Sequence, residues 1–218
     1  MRLATYNVEW FDALFDDNGQ LYKDAEWSAR HDVTRAAQTK ALVQVFRALD
    51  ADAIMVIEAP DTTGKRSTLR ALQGFAETAG LRARSVVMGF ANGTQQEIAL
   101  MFDPDLLEVV HDPQSAEEAP QFDQVLRIDL DVDASKDDVR FSKPPLELAV
   151  QTRSGTRLRL IGAHLKSKAP HGARTRDQIM RASIANRRKQ LAQAIWLRGR
   201  IDSDLADGTP LMVLGDLN

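Results

Sequence analysis

The chain has 218 residues, 44% of them hydrophobic, so it can bury one sizeable core, and its length favours a single domain. Its 28 Lys and Arg residues against 31 Asp and Glu residues give a net charge of -3, so the overall charge does not indicate a polyanionic partner. The absence of cysteine excludes disulfides and thiolate zinc sites, and no apolar run approaches the roughly 18 residues that cross a membrane.

The N-terminal segment RLATYNVEWF predicts a first β-strand. Asn7 and Glu9 interrupt its apolar residues, so it lacks the core of a signal peptide, and we expect a cytoplasmic protein. Asp32 is expected to cap a first helix, because apolar residues from Val33 to Leu49 recur at helical spacing.

A second strand and a second helix are predicted next. The segment DAIMVIEA, residues 52–59, is apolar throughout except at its ends, which is typical of a buried strand. Ser67 is expected to open the following helix, and Gly80 to close it.

After Gly80 the pattern becomes rich in β-strands, and the segments RSG and LMVLGDLN mark a hairpin turn and the last strand. A long helix from about Asp177 to Ile201 is expected between them. Consecutive hairpins with flanking helices favour a layered α/β sandwich with mixed sheets over a doubly wound parallel sheet. The predicted strands are 85–90, 97–102, 106–110, 124–132, 146–152 and 156–164, and the apolar stripe of the helix is Met180, Ile184, Leu191 and Ile195.

Several common catalytic motifs are missing from the sequence. There is no G-x-S-x-G, no G-x-G-x-x-G and no H-E-x-x-H, which disfavours a serine hydrolase, a dinucleotide enzyme and a zinc protease. The segment TGKRST resembles part of a phosphate-binding loop, but Ala59 and Arg66 replace two residues that the motif requires. We therefore expect a plain loop that leads into the second helix.

Basic residues concentrate between His164 and Arg200. This segment has ten Lys and Arg residues against one acid, Asp177, so the remainder of the chain is correspondingly acidic. Two interpretations stay open: a surface that binds phosphate groups, and the solvated flank of an exposed helix.

Polar residues follow the ends of the predicted strands at four places. Asn7 ends the first strand, Glu58 the second and His164 a later one, while Asp216 and Asn218 follow the last. Each has an ordinary alternative: a carboxylate where the chain returns to water, a satisfied core histidine, or an asparagine in a turn. It is their shared placement that indicates a site.

The segments TYNVEW, IMVIEA, SKPPLELAV, GAHLKSK and LGDLN occur in an order that resembles the endonuclease/exonuclease/phosphatase family. These magnesium-dependent phosphoesterases share the fold of pancreatic-type deoxyribonuclease, and the likeness covers essentially the whole chain. It implies one α/β (α+β) domain over residues 1–218. The implied fold is a four-layer α/β sandwich with two mixed, largely antiparallel sheets.

The resemblance also implies roles for the strand-end residues. Glu58 would hold Mg²⁺ or Mn²⁺, with Asn7 supporting the metal or its waters. His164 would donate to a phosphate oxygen, and Asp216 and Asn218 would position the attacking water and the phosphoryl group. Magnesium suits such a site because it takes few protein carboxylates and keeps several waters. The expected substrate-binding residues are Lys143, which replaces an arginine common in the family, and Lys166, Lys168, Arg174 and Arg176.

Members of the family continue beyond GDLN to a Ser-Asp-His segment, whose histidine assists the attacking water. We therefore expect a domain that lacks its C-terminal strands, with weak activity and a tendency to self-associate through the incomplete sheet.

Two functions follow from the resemblance. The first is a metal-dependent phosphoester hydrolase, a phosphodiesterase or nuclease in particular. The second is a non-catalytic module that recognises a phosphorylated ligand or a protein partner. The sequence leaves the substrate open between DNA, RNA, phospholipid and a small phosphate ester.

Overall fold

The computed structural model describes residues 1–94, 96–130 and 135–218. Within them, strands and helices alternate first and strands then predominate, as the sequence predicts. The helices are α1 Arg35–Leu49, α2 Thr68–Ala79 and α3 Arg176–Ala206, with one short 3-10 helix at Asp12–Leu14. The strands are β1 Leu3–Asn7, β2 Ala53–Pro60, β3 Ser85–Met88, β4 Gln96–Phe102, β5 Leu107–His111, β6 Leu126–Ile128, β7 Asp137–Val139, β8 Leu146–Thr152, β9 Arg157–His164 and β10 Leu211–Asp216.

The two four-stranded sheets are built in the same way. The first has the order β1-β2-β4-β3 and the second the order β10-β9-β8-β5. In each sheet the outer pair, β1 with β2 or β10 with β9, is parallel, and the other neighbours are antiparallel. Strands β6 and β7 form a separate antiparallel pair.

Three apolar clusters define four layers. One cluster, with Phe46 and Phe75, packs α1 and α2 on the outer face of the first sheet. A second, with Met55 and Leu160, lies between the two sheets. The third packs Trp196 of α3 on the outer face of the second sheet. The predicted fold class, an α/β sandwich with two mixed, largely antiparallel sheets, is thus confirmed.

The two sheets are in close contact at Gly162 on β9. A Cβ atom at this position would clash with the Met55 side chain and lie 2.9 Å from Ile98 Cγ2, both on the first sheet. Only glycine fits there without a shift of its neighbours, so Gly162 sets how closely β9 packs on β2 and β4.

The helix boundaries agree with the sequence at α2 and differ at α1. Ser67 caps α2, and Gly80 ends it in the left-handed conformation. The prediction that Asp32 caps α1 is wrong, because Thr34 is the residue whose side chain accepts from the Ala37 N–H. Thr34 can take this role because the helix begins at Arg35, two residues later than a cap at Asp32 requires.

Two further elements depart from the sequence pattern. Of the predicted strand 124–132, only Leu126–Ile128 is a strand, and residues 131–134 lie outside the described part of the chain. The stripe on α3 is exposed, with Met180 at 55% and Leu191 at 58%, while the buried face carries Trp196 and Arg200. Helical spacing identifies a face of a helix but not what covers it.

No helix in the described ranges has both the length and the apolar character needed to cross a membrane.

Candidate active site

The ends of the two parallel strand pairs meet, and Asn7 joins them. Its Nδ2 donates to Asp216 Oδ2 at 3.0 Å, which links β1 of the first sheet to β10 of the second across 209 residues of sequence. Its Oδ1 is buried and has no hydrogen-bond partner among the described residues. A buried amide oxygen without a donor is unusual and indicates a position for a ligand.

Glu58 projects from a bulge in β2. Ile57 pairs with Ile98, and Ala59 pairs with Glu97, so Glu58 is the extra residue between two regular pairs. Its φ of 61° is in the left-handed region, which a residue with a side chain rarely adopts. The bulge turns the carboxylate out of the buried sheet, a common device beside functional sites.

Gln96 and Lys143 hold one side of the Glu58 carboxylate. Gln96, the first residue of β4, donates from Nε2 to Glu58 Oε2 at 2.6 Å. Lys143 Nζ lies 4.0 Å from Glu58 Oε1 and also donates to Gln96 Oε1. Gln96 therefore bridges the two groups: it donates to the Glu58 carboxylate and accepts from the Lys143 ammonium.

His164, at the end of β9, lies between the two acids. Its Nε2 is 4.0 Å from Glu58 Oε1 and 4.0 Å from Asp216 Oδ2, and its Nδ1 is 3.3 Å from Lys143 Nζ. An ammonium has donors but no acceptor, so Nδ1 accepts and the ring hydrogen lies on Nε2, toward the carboxylates. Burial and then Lys143 lower the pKa of His164 to about 4, although Asp216 acts in the opposite direction.

Burial also lowers the pKa of Lys143, and Glu58 is the largest of the charges that oppose this effect. The Glu58 carboxylate thus favours the charged form of Lys143 in spite of the burial of the ammonium.

Asp216 is the last residue of β10 and follows a glycine, Gly215. Gly215 has a φ of 136°, and a Cβ atom there would overlap the Ala163 carbonyl of β9. Asp216 Oδ1 accepts from the Asn218 N–H at 2.9 Å, and Asn218 Nδ2 donates to the Leu165 carbonyl at 2.9 Å. Asn218 therefore ties the end of β10 to the segment after β9.

Glu58, Gln96 and His164 line a cleft of about 400 Å³, and Asp216 adjoins it, because its Oδ2 lies 4.0 Å from His164 Nε2. Of the predicted substrate-binding residues, Lys143 and Lys166 line this cleft. Lys168, Arg174 and Arg176 are exposed in the loop and the first turn of α3, and they are not among the residues that line it. The structure thus brings together the strand-end residues and two of the five predicted cations.

Sequence reasoning missed several residues of the cleft. Gln96 is the clearest case, since it bonds Glu58, and Gln193 of α3 also lines the cleft although it is only 2% exposed. The antiparallel pairing of β4 with β2 was the signal that places Gln96 opposite the strand end, but the pairing register is not evident from one sequence. The other missed residues that line the cleft are Thr94, Ser142, Leu165, Ser167 and His171.

The oxygens of this site fit a magnesium-type ion better than a zinc-type ion. In the described ranges, no three His, Cys, Asp or Glu side chains converge closely enough to form a metal cluster. Mg²⁺ needs only one or two carboxylates and otherwise keeps waters. Glu58 Oε1, which is 4.0 Å from both Lys143 Nζ and His164 Nε2, and Asn7 Oδ1, which has no hydrogen-bond partner in the described ranges, are oxygens of the type that such an ion takes.

No family model and no curated protein matches the chain. Solved structures of TDP2 are similar to it. A truncated TDP2 from Caenorhabditis elegans is 17% identical, with a TM-score of 0.46, over 83% of this chain and 54% of that one. A D. rerio TDP2 humanized by 14 mutations is 15% identical, with a TM-score of 0.47, over 98% of this chain and 60% of that one. The chain therefore spans less than two thirds of the length of either structure.

Proposed function

We propose that the chain is a metal-dependent phosphoester hydrolase that cleaves phosphodiesters, as a phosphodiesterase or nuclease does. The observation that carries the proposal is the chain of side-chain contacts that joins Asn7, Asp216, His164 and Glu58, from strands of both sheets, beside the cleft that Glu58 and His164 line. A neutral imidazole N–H, two carboxylates and an amide suit water attack on phosphorus, and lysines on the rim suit an anionic substrate.

Each residue has a role that its contacts support. His164 Nε2–H would donate to a non-bridging phosphate oxygen, and Lys143 would hold the tautomer that makes this possible. Asp216 would orient the attacking water. Its carboxylate is held in place by hydrogen bonds from the Asn7 amide and the Asn218 N–H. Lys166, which lines the cleft, would neutralise the phosphate.

Glu58 and Asn7 are the residues that would hold Mg²⁺ or Mn²⁺. When bound, such an ion would polarise the phosphoryl oxygen and offset the charge that develops on it. Gln96 would keep the Glu58 carboxylate in one orientation, because it donates to Oε2. Gln96 does not bond Oε1, so that oxygen would face the ion.

A second candidate function is a phosphate-binding module without catalysis. The observation in its favour is the position of Lys143 Nζ, 4.0 Å from Glu58 Oε1. There the ammonium offsets part of the negative charge of Glu58, as a bound metal ion would. A module of this kind would bind phosphate esters equally well with and without divalent metal.

The test is hydrolysis of bis(p-nitrophenyl) phosphate with Mg²⁺ or Mn²⁺, together with thermal unfolding in a metal titration. The wild-type protein should turn over the diester and should gain roughly 2.7 kcal/mol of stability at a metal concentration about 100 times the Kd. Glu58→Gln should lose both effects, because an amide is a much weaker ligand than a carboxylate.

The matched control is Glu108→Gln, which removes an exposed carboxylate on β5, away from the cleft. It should behave as the wild type does. Equal turnover by Glu58→Gln and wild type would contradict the assignment of the metal site. Phosphate binding without turnover, unchanged by EDTA, would support the binding module instead.

A further inference from the structure

A second hollow, which we call the helix groove, lies beside the catalytic cleft. Its volume is about 600 Å³, and it runs between α3 and the β6–β7 pair. Leu130, Val139, Ile184 and Ala185 form its apolar surface. The groove uses the exposed N-terminal half of α3, which packs on no buried core.

Four cations line the helix groove: Arg140, Arg181, Arg188 and Lys189. The side chains of Arg140, Arg181 and Lys189 form no salt bridge with any residue of the described ranges. Two acids, Asp137 and Asp138, also line the groove, and Asp138 is paired with Arg127 at 3.1 Å. The groove therefore has an excess of positive charge in a chain whose net charge is -3.

The side chain of Gln193 connects the cleft, which it lines, to Arg140 of the helix groove. Its Oε1 accepts from the Lys166 N–H at 2.8 Å on the cleft side. Its Nε2 donates to the Arg140 carbonyl at 3.2 Å on the groove side. Lys189 lies one helical turn before Gln193, and its pKa is lowered by burial and then by the charge of Lys166. The cations of the groove thus continue the positive charge of the cleft.

The length of the groove matches several phosphates. Arg181 and Lys189, the outermost lining residues of α3, are eight residues apart, or roughly 12 Å at the rise of an α-helix. A nucleic-acid strand advances about 3.4 Å per phosphate in a duplex, so this distance spans roughly three to four of its phosphates. A phospholipid or a small phosphate ester has no such row of charges, and it would leave the groove cations unused.

We propose that the helix groove binds the phosphate backbone of a polynucleotide strand whose scissile phosphate lies in the catalytic cleft. The proposal rests on the proposed function for the position of the scissile phosphate, but the groove itself binds without catalysis. It selects an extended polyanion over a small phosphate ester.

The test measures binding in EDTA, so that hydrolysis does not enter. The probe is a fluorescein-labelled oligodeoxynucleotide of about 20 nucleotides, single-stranded in one arm and duplex in the other, and its anisotropy is followed from roughly 50 to 200 mM salt. For the single strand, each lost phosphate contact should reduce the slope of log affinity against log salt by about 0.7. The double variant Arg181→Gln/Lys189→Gln should therefore lower the slope by about 1.4 and the affinity at about 0.1 M salt by roughly 25-fold.

The matched control is Arg187→Gln/Arg198→Gln, which removes the same charge from α3 outside the groove lining. The charge-preserving variant Arg181→Lys/Lys189→Arg should keep the wild-type slope. All the substituted residues are at least partly exposed, and thermal unfolding checks that each variant folds.

The proposal is supported if the slope of log affinity against log salt is smaller in the groove variant alone, for either nucleic acid. The probe that shows the change, single-stranded or duplex, is the form that the groove binds. Equal slopes in all variants, or equal losses in the groove variant and the control, overturn it. It is also overturned if the groove variant loses binding to phosphatidylserine vesicles but keeps the oligonucleotide. Failure of the wild type to hydrolyse bis(p-nitrophenyl) phosphate counts against the proposed function only, so the two failures are distinguishable.

Discussion

At the scale of single residues, unusual backbone conformations surround the candidate site. Glu58 and Asn218 have left-handed φ values of 61° and 58°, and Gly215 has a φ of 136°. Conformations of this kind persist only where the surroundings enforce them, and they are frequent at functional sites. In this protein, a bulge enforces the conformation at Glu58, and close contact with β9 does so at Gly215.

Gly215→Ala should therefore be strongly disruptive. Its methyl group would overlap the Ala163 carbonyl, so β10 must shift from β9 and move Asp216 away from Asn7. We expect a loss of about 1–3 kcal/mol of unfolding free energy, measured by urea denaturation, together with a fall in diester turnover. Gly93→Ala is the control, because open space surrounds Gly93, and it should change neither quantity. Normal stability of Gly215→Ala would show that the strand pair tolerates the methyl group.

Lys143 should act as a positioning residue for His164. Lys143→Met removes the donor to Nδ1, so both tautomers of the ring become available. We expect kcat for diester hydrolysis to fall at least tenfold, since a positioned acid or base contributes about 10²- to 10⁴-fold.

Lys143→Arg, which retains a donor, should recover most of the rate of Lys143→Met. A rise in KM with an unchanged kcat would contradict this role, since it would assign Lys143 to substrate binding alone.

At the scale of elements, α3 is fastened to the second sheet by buried charges. Arg200 is 1% exposed, and its Nε lies 2.9 Å from Glu147 Oε1 of β8. Arg159 of β9 lies 3.9 Å from the same carboxylate and pairs with Asp112 at 2.6 Å. Breaking such a buried pair is costly, because it leaves one charge without compensation.

The buried acid of this network should make stability depend on pH. Burial raises the pKa of Glu147 from 4.5 to about 7, against the opposing effect of Arg200. Between these two pH values the folded protein retains the proton and the unfolded chain does not, so the stability contribution is full below 4.5 and falls as pH rises through 7.

In chemical denaturation, the wild type should lose roughly 2 to 3 kcal/mol of unfolding free energy between pH 5 and pH 8 through Glu147, since a tenfold change in a protonation equilibrium corresponds to about 1.4 kcal/mol. Glu147→Gln cannot titrate, so its profile over this range should be flatter. Parallel profiles for the two proteins would show that Glu147 does not ionise there.

At the scale of the whole molecule, two equivalent sheets bring four strand ends to one place. Each sheet has its parallel pair at one edge, and the pairs β1–β2 and β10–β9 meet through the Asn7–Asp216 hydrogen bond. The same arrangement leaves β10 at the edge of its sheet and the stripe of α3 in solvent. Met212, Leu191 and Ile195 are 43%, 58% and 43% exposed.

An open strand edge beside exposed apolar residues favours association of copies. We expect sedimentation velocity to show an apparent mass that rises with concentration in the micromolar range. Leu191→Lys should reduce the association by placing a charge on the stripe, whereas Arg157→Lys, an exposed change on β9 that keeps the charge, should not. A concentration-independent monomer would contradict the prediction.

Local sequence signals were sufficient for the layered fold and for the strand-end residues. Ser67 and Gly80 bound α2 because capping depends on side chains within one turn of the helix end. β8 and the hairpin after it follow from alternation and turn residues. Glu58, His164 and Asp216 could be singled out because polar residues that follow apolar strands are visible in the sequence itself.

Contacts between distant segments decided the rest. The bulge at Glu58 depends on the register between β2 and β4, and the Gln96–Glu58 hydrogen bond follows from it. The exposure of the α3 stripe depends on which face the second sheet covers, which periodicity does not encode. The helix groove exists because α3 packs beside the β6–β7 pair, which is far from it in the chain. One sequence states which residues are available, but pairing register and packing determine which of them meet.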